Sequence, residues 1–207
     1  MIDTLIIAAH DDDEALMAGG YIAKYASQKE IVVCVVIGCT DDQKAASAKN
    51  AEAFGYTIEP IYEKQFATPL HVLAAKINQV ILKHRPQTII THTYFDTHQE
   101  HKLVHDAVEI ATRAIDMREA GGGHFVPNIL LGLGTGLYEN SITLTRPQCF
   151  VGLSRKEVNR KVDMMNRYGL EMKGIRSRIG AITDARFWGK MNGTQFAEAF
   201  IAKRIAV

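Results

Sequence analysis

Two kinds of hydrophobic pattern alternate along this chain. Short runs that are apolar at nearly every position occur at Thr4–Ala9, Glu30–Gly38 and Gln87–His92, as expected of strands buried on both faces. Thr57–Tyr62 is a weaker run of the same kind. Between them lie stretches whose apolar residues recur every three or four positions, as on one face of a helix. The first runs from Glu14 to about Ser27, with Leu16, Met17, Ile22, Ala23 and Tyr25 as its apolar residues, and is loosened by Gly19-Gly20. The second, Asp41–Phe54, meets a natural stop at Gly55. A third opens at Pro69 and continues to about His84 on the stripe Leu70, Leu73, Ile77, Val80 and Ile81. A fourth begins near His98 and runs to about Met117. Further along, Glu119–His124 is a glycine-rich loop, and Ile129–Tyr138 and Ser141–Gly152 read as strands near a sheet edge. Ser154 and Glu157 have the spacing of a capping box that starts a helix at Arg155.

Strand–helix alternation of this kind predicts an α/β fold: a doubly wound, Rossmann-like, mostly parallel sheet with helices on both faces. No repeat, low-complexity tract or linker interrupts the pattern, so residues 1–207 read as one domain. Composition adds exclusions. The net charge of +1 gives no general attraction to nucleic acid or an anionic membrane, and an anionic ligand would need a local site. The longest clearly apolar run, Ile31–Ile37, is far short of the roughly 20 residues of a membrane span. The Met1-Ile2-Asp3 start lacks the basic segment of a secretory signal. Three cysteines, Cys34, Cys39 and Cys149, contain no CxxC pair, so neither a disulfide framework nor a thiolate zinc site is expected. A cytoplasmic protein with a small-molecule partner is the expectation.

The chemistry concentrates in two clusters, each following a strand. One is His10-Asp11-Asp12-Asp13-Glu14; the other is His92, Asp96, His98, Glu100 and His101. Ligands of open parallel sheets bind beyond the carboxyl ends of the strands, so neighbouring strands would bring both clusters to one crevice. Imidazole and carboxylate are zinc donors, and a catalytic zinc keeps three protein ligands and an open position. A spare carboxylate can take a proton from water and a spare histidine can meet developing charge. Each piece also has a plainer account. Acidic residues at a helix start oppose its dipole, and His98, His101 and His105 share one helical face by spacing. GLGTG at Gly132–Gly136 lacks the third glycine of a dinucleotide fingerprint and leads into a strand.

The two clusters resemble the signatures of the LmbE-like, or PIG-L, family of zinc-dependent N-acetylglucosaminyl deacetylases. Ala9-His10-Asp11-Asp12-Asp13-Glu14 is similar to that family's AHPDDE, and the stretch from His92 to His101 to its HxxxDxHxDH. Ala197-Glu198-Ala199-Phe200 looks like its late AEAF. The resemblance implies His10, Asp13 and His101 as metal ligands for Zn2+, with Fe2+ or another divalent ion as the alternative. It implies Asp12 as general base, and His98 as the group that stabilises the oxyanion or protonates the amine. Asp96, Glu14 and Glu100 would support these residues, and the protein would form a homo-oligomer. The implied reaction is removal of an acetyl group from an N-acetylglucosamine-type sugar or conjugate. An N-acyl bond of a non-sugar metabolite and a catalytically silent sugar- or nucleotide-binding domain are the alternatives. Two positions depart from the pattern. Asp11 stands in place of proline, as a spare solvated charge or a competitor for the proton, and Glu100 in place of aspartate.

Overall fold

A computed structural model describes residues 1–63, 68–113, 123–134, 146–169 and 173–206. Among these residues, seven strands form one sheet in the order β3-β2-β1-β4-β5-β7-β6. They are β1 (Thr4–Ala8), β2 (Ile31–Val35), β3 (Thr57–Ile58), β4 (Thr88–His92), β5 (Asn128–Gly132), β6 (Cys149–Leu153) and β7 (Phe196–Ile205). The first five run parallel, and β7 pairs antiparallel with both β5 and β6. The described helices are α1 (Asp13–Tyr25), α2 (Asp41–Phe54), α3 (Leu70–His84), α4 (Gln99–Ala111), α5 (Arg155–Asn166) and α6 (Arg178–Asn192).

The alternation of side chains along each strand separates two cores. Ile6, Ala8, Val33, Val35 and Ile90 pack with Leu16, Met17 and Ile22 of α1 and Val162 and Met165 of α5. Leu5, Ile7, Val32, Cys34 and Ile89 face the other way, onto Leu73, Ile77 and Ile81 of α3 and Val104 and Val108 of α4. A strand buried on both sides has no polar face to spare, which is why these runs are apolar throughout. This is the doubly wound, mostly parallel arrangement expected.

Local signals set several boundaries. Gly55 takes the left-handed conformation (φ 80°) at the end of α2, and the Ser154–Glu157 capping box forms at the start of α5. The apolar runs extend past the paired residues: β2 and β3 end earlier than their hydrophobic stretches, at Val35 and Ile58. β6 is one edge of the sheet, but β5 lies inside it, because the late strand β7 inserts between them. The expected helix tail at 114–117, the loop residues 119–122, the strand residues 135–138 and 141–145, and the last two residues of GLGTG lie outside the described residues. Among the described residues, no helix is long and apolar enough to cross a membrane.

Candidate metal centre

Strands β1 and β4 are parallel neighbours in register from Thr4↔Thr88 to Ile7↔Thr91. At this pair the strand order turns back on itself: β2 and β3 lie on one side of β1, β4 and β5 on the other. Both chemical clusters leave the sheet here, from the carboxyl ends of adjacent strands, at the topological switch point where such folds bind ligands.

The turn after β1 is tied by its own side chain. The Asp13 carboxylate accepts the His10 backbone N–H (2.8 Å, Oδ2), which holds the His10 ring over that carboxylate. His101, in the first turn of α4, approaches from the other loop. Its Nε2 lies 3.3 Å from Asp13 Oδ1 and 3.3 Å from His10 Nδ1, while His10 Nδ1 lies 3.3 Å from Asp13 Oδ2. The far side of each ring is anchored by a carboxylate. His10 Nε2 donates to Glu100 Oε2 (2.6 Å), and His101 Nδ1 donates to Asp96 Oδ2 (2.6 Å). Asp96 also accepts the His98 backbone N–H (2.9 Å), which shapes the loop ahead of α4.

Carboxylates only accept hydrogen bonds, so the anchored nitrogens carry the ring protons and the near nitrogens of neutral rings present lone pairs. Two lone pairs and a carboxylate then converge on one point, an arrangement that calls for positive charge. Burial disfavours charge on these rings, yet Asp13 and Glu100 push His10 up to about 8, and Asp13 and Asp96 push His101 up to about 10. Asp13 is held well below the carboxylate range: burial opposes this, but His101, His92 and His10 outweigh it. A divalent ion satisfies the same demand. Around a tetrahedral ion with bonds of about 2.0–2.1 Å, ligand atoms sit about 3.3–3.4 Å apart, which is the spacing of the two ring nitrogens, while the rings meet different oxygens of the Asp13 carboxylate. The donor set and its spacing therefore fit a metal.

His92 sits beside this point, its Nε2 3.4 Å from Asp13 Oδ2, and Asp13, His92 and His101 are close enough to make another possible set of metal ligands. The His92 Nε2 accepts the Ala9 backbone N–H (2.9 Å) and the His92 ring stacks on His101 at 4.0 Å. His98, the residue before α4, stacks on His101 at 4.5 Å, and half of its side chain is exposed at the rim. Burial and the charges of His101 and His10 lower its pKa. Asp12 is 6% exposed. Burial and the adjacent Asp13 charge raise it to about 6, partly offset by His10 and Arg176.

The other two carboxylates turn away from the convergence. Asp11 is fully buried, which corrects the solvated reading: Tyr62 Oη donates to its Oδ1 (2.9 Å) and the Cys39 backbone N–H to its Oδ2 (3.0 Å). Buried carboxylates need such donors, and here the segment after β3 and the loop after β2 supply them. Glu14 accepts from Tyr56 Oη (2.9 Å), and Tyr168 Oη lies 2.5 Å from the same oxygen and 2.6 Å from the Asp11 carbonyl. Burial pushes Glu14 up to about 8 against the pull of these hydroxyls. The repulsion among four successive acids is thus relieved by giving each a different surrounding. Tyr56, Tyr62 and Tyr168 escaped the sequence reading. They come from three separate places in the chain, and no local spacing ties them to the acidic turn.

A family model described as GlcNAc-PI de-N-acetylase (PIG-L) matches residues 5–112, which span both clusters. The chain belongs to this family. Its fold is similar to that of the conserved protein TT1542 from Thermus thermophilus, at 18% identity and a TM-score of 0.83 over 100% of this chain and 97% of that one. It is similar to an N,N'-diacetylchitobiose deacetylase from Pyrococcus horikoshii, at 14% identity and a TM-score of 0.78 over 97% and 83%. It is also similar to GalB, a 4-carboxy-2-hydroxymuconate hydratase from Pseudomonas putida, at 17% identity and a TM-score of 0.81 over 100% and 98%. A search of curated proteins finds no match. A deacetylase and a hydratase on one fold show that the architecture alone does not choose the reaction.

Proposed function

We propose that this protein is a divalent-metal-dependent N-deacetylase that acts on an N-acetylated amino sugar or its conjugate, releasing acetate and the free amine. The observation that carries the reading is that His10 Nδ1 and His101 Nε2 lie 3.3 Å apart, each 3.3 Å from a different oxygen of the Asp13 carboxylate, with both rings anchored from behind. His10, Asp13 and His101 would hold the ion, zinc by donor type, with ferrous iron compatible with the same set. When bound, such an ion supplies a Lewis acid for the acetamide carbonyl and acidifies water.

The remaining steps fall to the protein's own groups. Asp12 adjoins the ligand Asp13 and is nearly buried, with its pKa raised toward neutrality. A carboxylate so tuned accepts a proton from the attacking water and returns it to the departing nitrogen. His98, at the rim with its ring against His10 and His101, meets the negative charge that develops on the carbonyl oxygen or protonates the amine. Asp96 and Glu100 fix the tautomers of the two ligating rings, the usual task of carboxylates behind metal-bound histidines. Family membership and the chitobiose deacetylase among the similar structures support the sugar as substrate class.

The test is a panel of N-acetylglucosamine, N,N'-diacetylchitobiose and N-acetyl amino acids, with acetate and free amine measured for each. Release from the sugars alone, abolished by a chelator and restored by a divalent ion, is expected. Release only from the amino acids would move the substrate outside the sugars. Turnover that survives complete removal of metal would overturn the mechanism.

A further inference from the structure

Cys39 has no part in the mechanism above, yet the structure brings it to the same turn. Gly38 makes this approach feasible: its φ of +82° is costly for other residues, and a Cβ there would come within 2.6 Å of the Tyr62 ring. The Cys39 backbone N–H is then pinned to Asp11 Oδ2 (3.0 Å), and the next residue, Thr40, caps α2 through a capping box with Gln43. Held on both sides, the Cys39 side chain faces the acidic turn. Its sulfur, an Asp12 carboxylate oxygen and a His10 ring nitrogen all lie within 4.8 Å of one another. Cys39 is half-buried, so an ion can reach it.

We propose that Cys39, Asp12 and His10 form a second metal-binding set, selective for a thiophilic divalent ion such as Cd2+, and that filling it silences the enzyme. The set mixes sulfur, oxygen and nitrogen donors, and thiolate is the donor that separates soft ions from the hard ones that carboxylates also take. Binding forms a metal–sulfur bond and releases the thiol proton to solvent. The His10 ring belongs to both donor sets, so an ion in the second set competes for a ligand of the first. Asp12, once coordinated, no longer has a free carboxylate to accept a proton. This consequence rests on the proposed role of Asp12 as base; the binding itself does not.

The metal-loaded protein is titrated with CdCl2, following the ultraviolet charge-transfer band of a cadmium thiolate and, in parallel, turnover. The expected result is a band that saturates with one ion, persists in Cys149→Ser and is absent in Cys39→Ser. Asp12→Asn should weaken the band's apparent affinity by at least about tenfold, as loss of one of three donors implies. Cys39→Ser should keep its basal turnover while needing at least about tenfold more Cd2+ for half-inhibition. A wild-type protein without the thiolate band, a band that survives Cys39→Ser, or equal inhibition of the wild type and Cys39→Ser would each overturn the proposal. The band requires no substrate, so it stands or falls separately from the deacetylase reading.

Discussion

Near the middle of α1, Lys161 and Glu198 meet in a buried ion pair (2.7 Å); at the start of the same helix, His10, Asp13 and His101 meet in a buried cluster. In the first, every charged group has its complement. Lys161 Nζ also donates to the Leu16 carbonyl (3.0 Å), and Glu198 accepts the backbone N–H groups of Gly20 (3.0 Å) and Tyr21 (2.7 Å). Gly19 and Gly20 permit this approach: a Cβ on Gly20 would lie 2.7 Å from Leu153 Cδ1 and 3.1 Å from the Glu198 carboxylate. In the second cluster the outward nitrogens are satisfied by Glu100 and Asp96, while the inward atoms face one another. A closed network holds a fold together; one satisfied from behind and open in front is prepared to receive a ligand.

Substitutions should separate the two regions. The largest effect is expected at the open cluster. His101→Ala should lose both the bound ion, by metal analysis, and turnover. Asp12→Asn should keep the ion and lose about 10²–10⁴-fold in kcat, the usual worth of a general base. If Asp12→Asn loses the ion as well, Asp12 is a ligand and the assignment of roles changes.

The closed pair should behave in the opposite sense. Glu198→Gln leaves Lys161 uncompensated, and breaking a buried pair costs about 3–5 kcal/mol, visible as a lower urea midpoint. The protein that remains folded should retain its turnover. A turnover defect without a stability defect would show that the pair serves the site directly. Next in size is Glu100→Gln, which weakens the anchor behind His10 and should lower metal affinity by about 10–100-fold, measured by competition with a chelator, with little change in stability.

A last prediction concerns Glu14, the residue after Asp13, whose carboxyl is buried against Tyr56 and Tyr168. Its folded pKa, about 8, lies above the ordinary carboxylate value of 4.5. The stability linked to it is therefore fully present below about pH 4.5 and is lost as pH rises toward about 8, because the folded state holds the proton that the unfolded state releases. Urea unfolding across this window should show stability falling with pH in the wild type and a flatter dependence in Glu14→Gln. An unchanged slope in the variant would assign the dependence to another group.

Much of the parallel half of the fold was legible, because its strands are buried on both faces and its helices carry plain apolar stripes or caps. At the antiparallel end, the edge strand β6 and the start of α5 were legible, but β7 was not. Phe196–Ile205 is rich in alanine, with Glu198 and Lys203, a composition that favours helix. It forms a strand because β5 and β6 pair with it on either side, and tertiary pairing overrides propensity. Helix α6 escaped for a related reason: Gly180 and Gly189 interrupt it, and Ile179, Phe187 and Met191 are exposed, which blurs its stripe. At the site, the metal-competent residues were legible because chemistry and spacing coincide over a few positions. The surroundings that make Asp11 and Glu14 different from Asp12 and Asp13 were not, since they are hydroxyls and an amide delivered by the fold. Asp11, read from the sequence as a spare solvated charge or a competitor for the proton, is a buried brace between the turn, Tyr62 and the loop at Cys39.

The central claim is that one divalent ion is held by His10, Asp13 and His101. Anomalous diffraction from crystals of the purified protein, recorded on either side of the zinc and iron absorption edges, tests it directly. The account predicts a single strong peak in contact with His10 Nδ1, the Asp13 carboxylate and His101 Nε2, which identifies the metal by the edge at which it appears. A peak bound elsewhere, or full turnover from crystals and solutions that show no peak at this position, would contradict it.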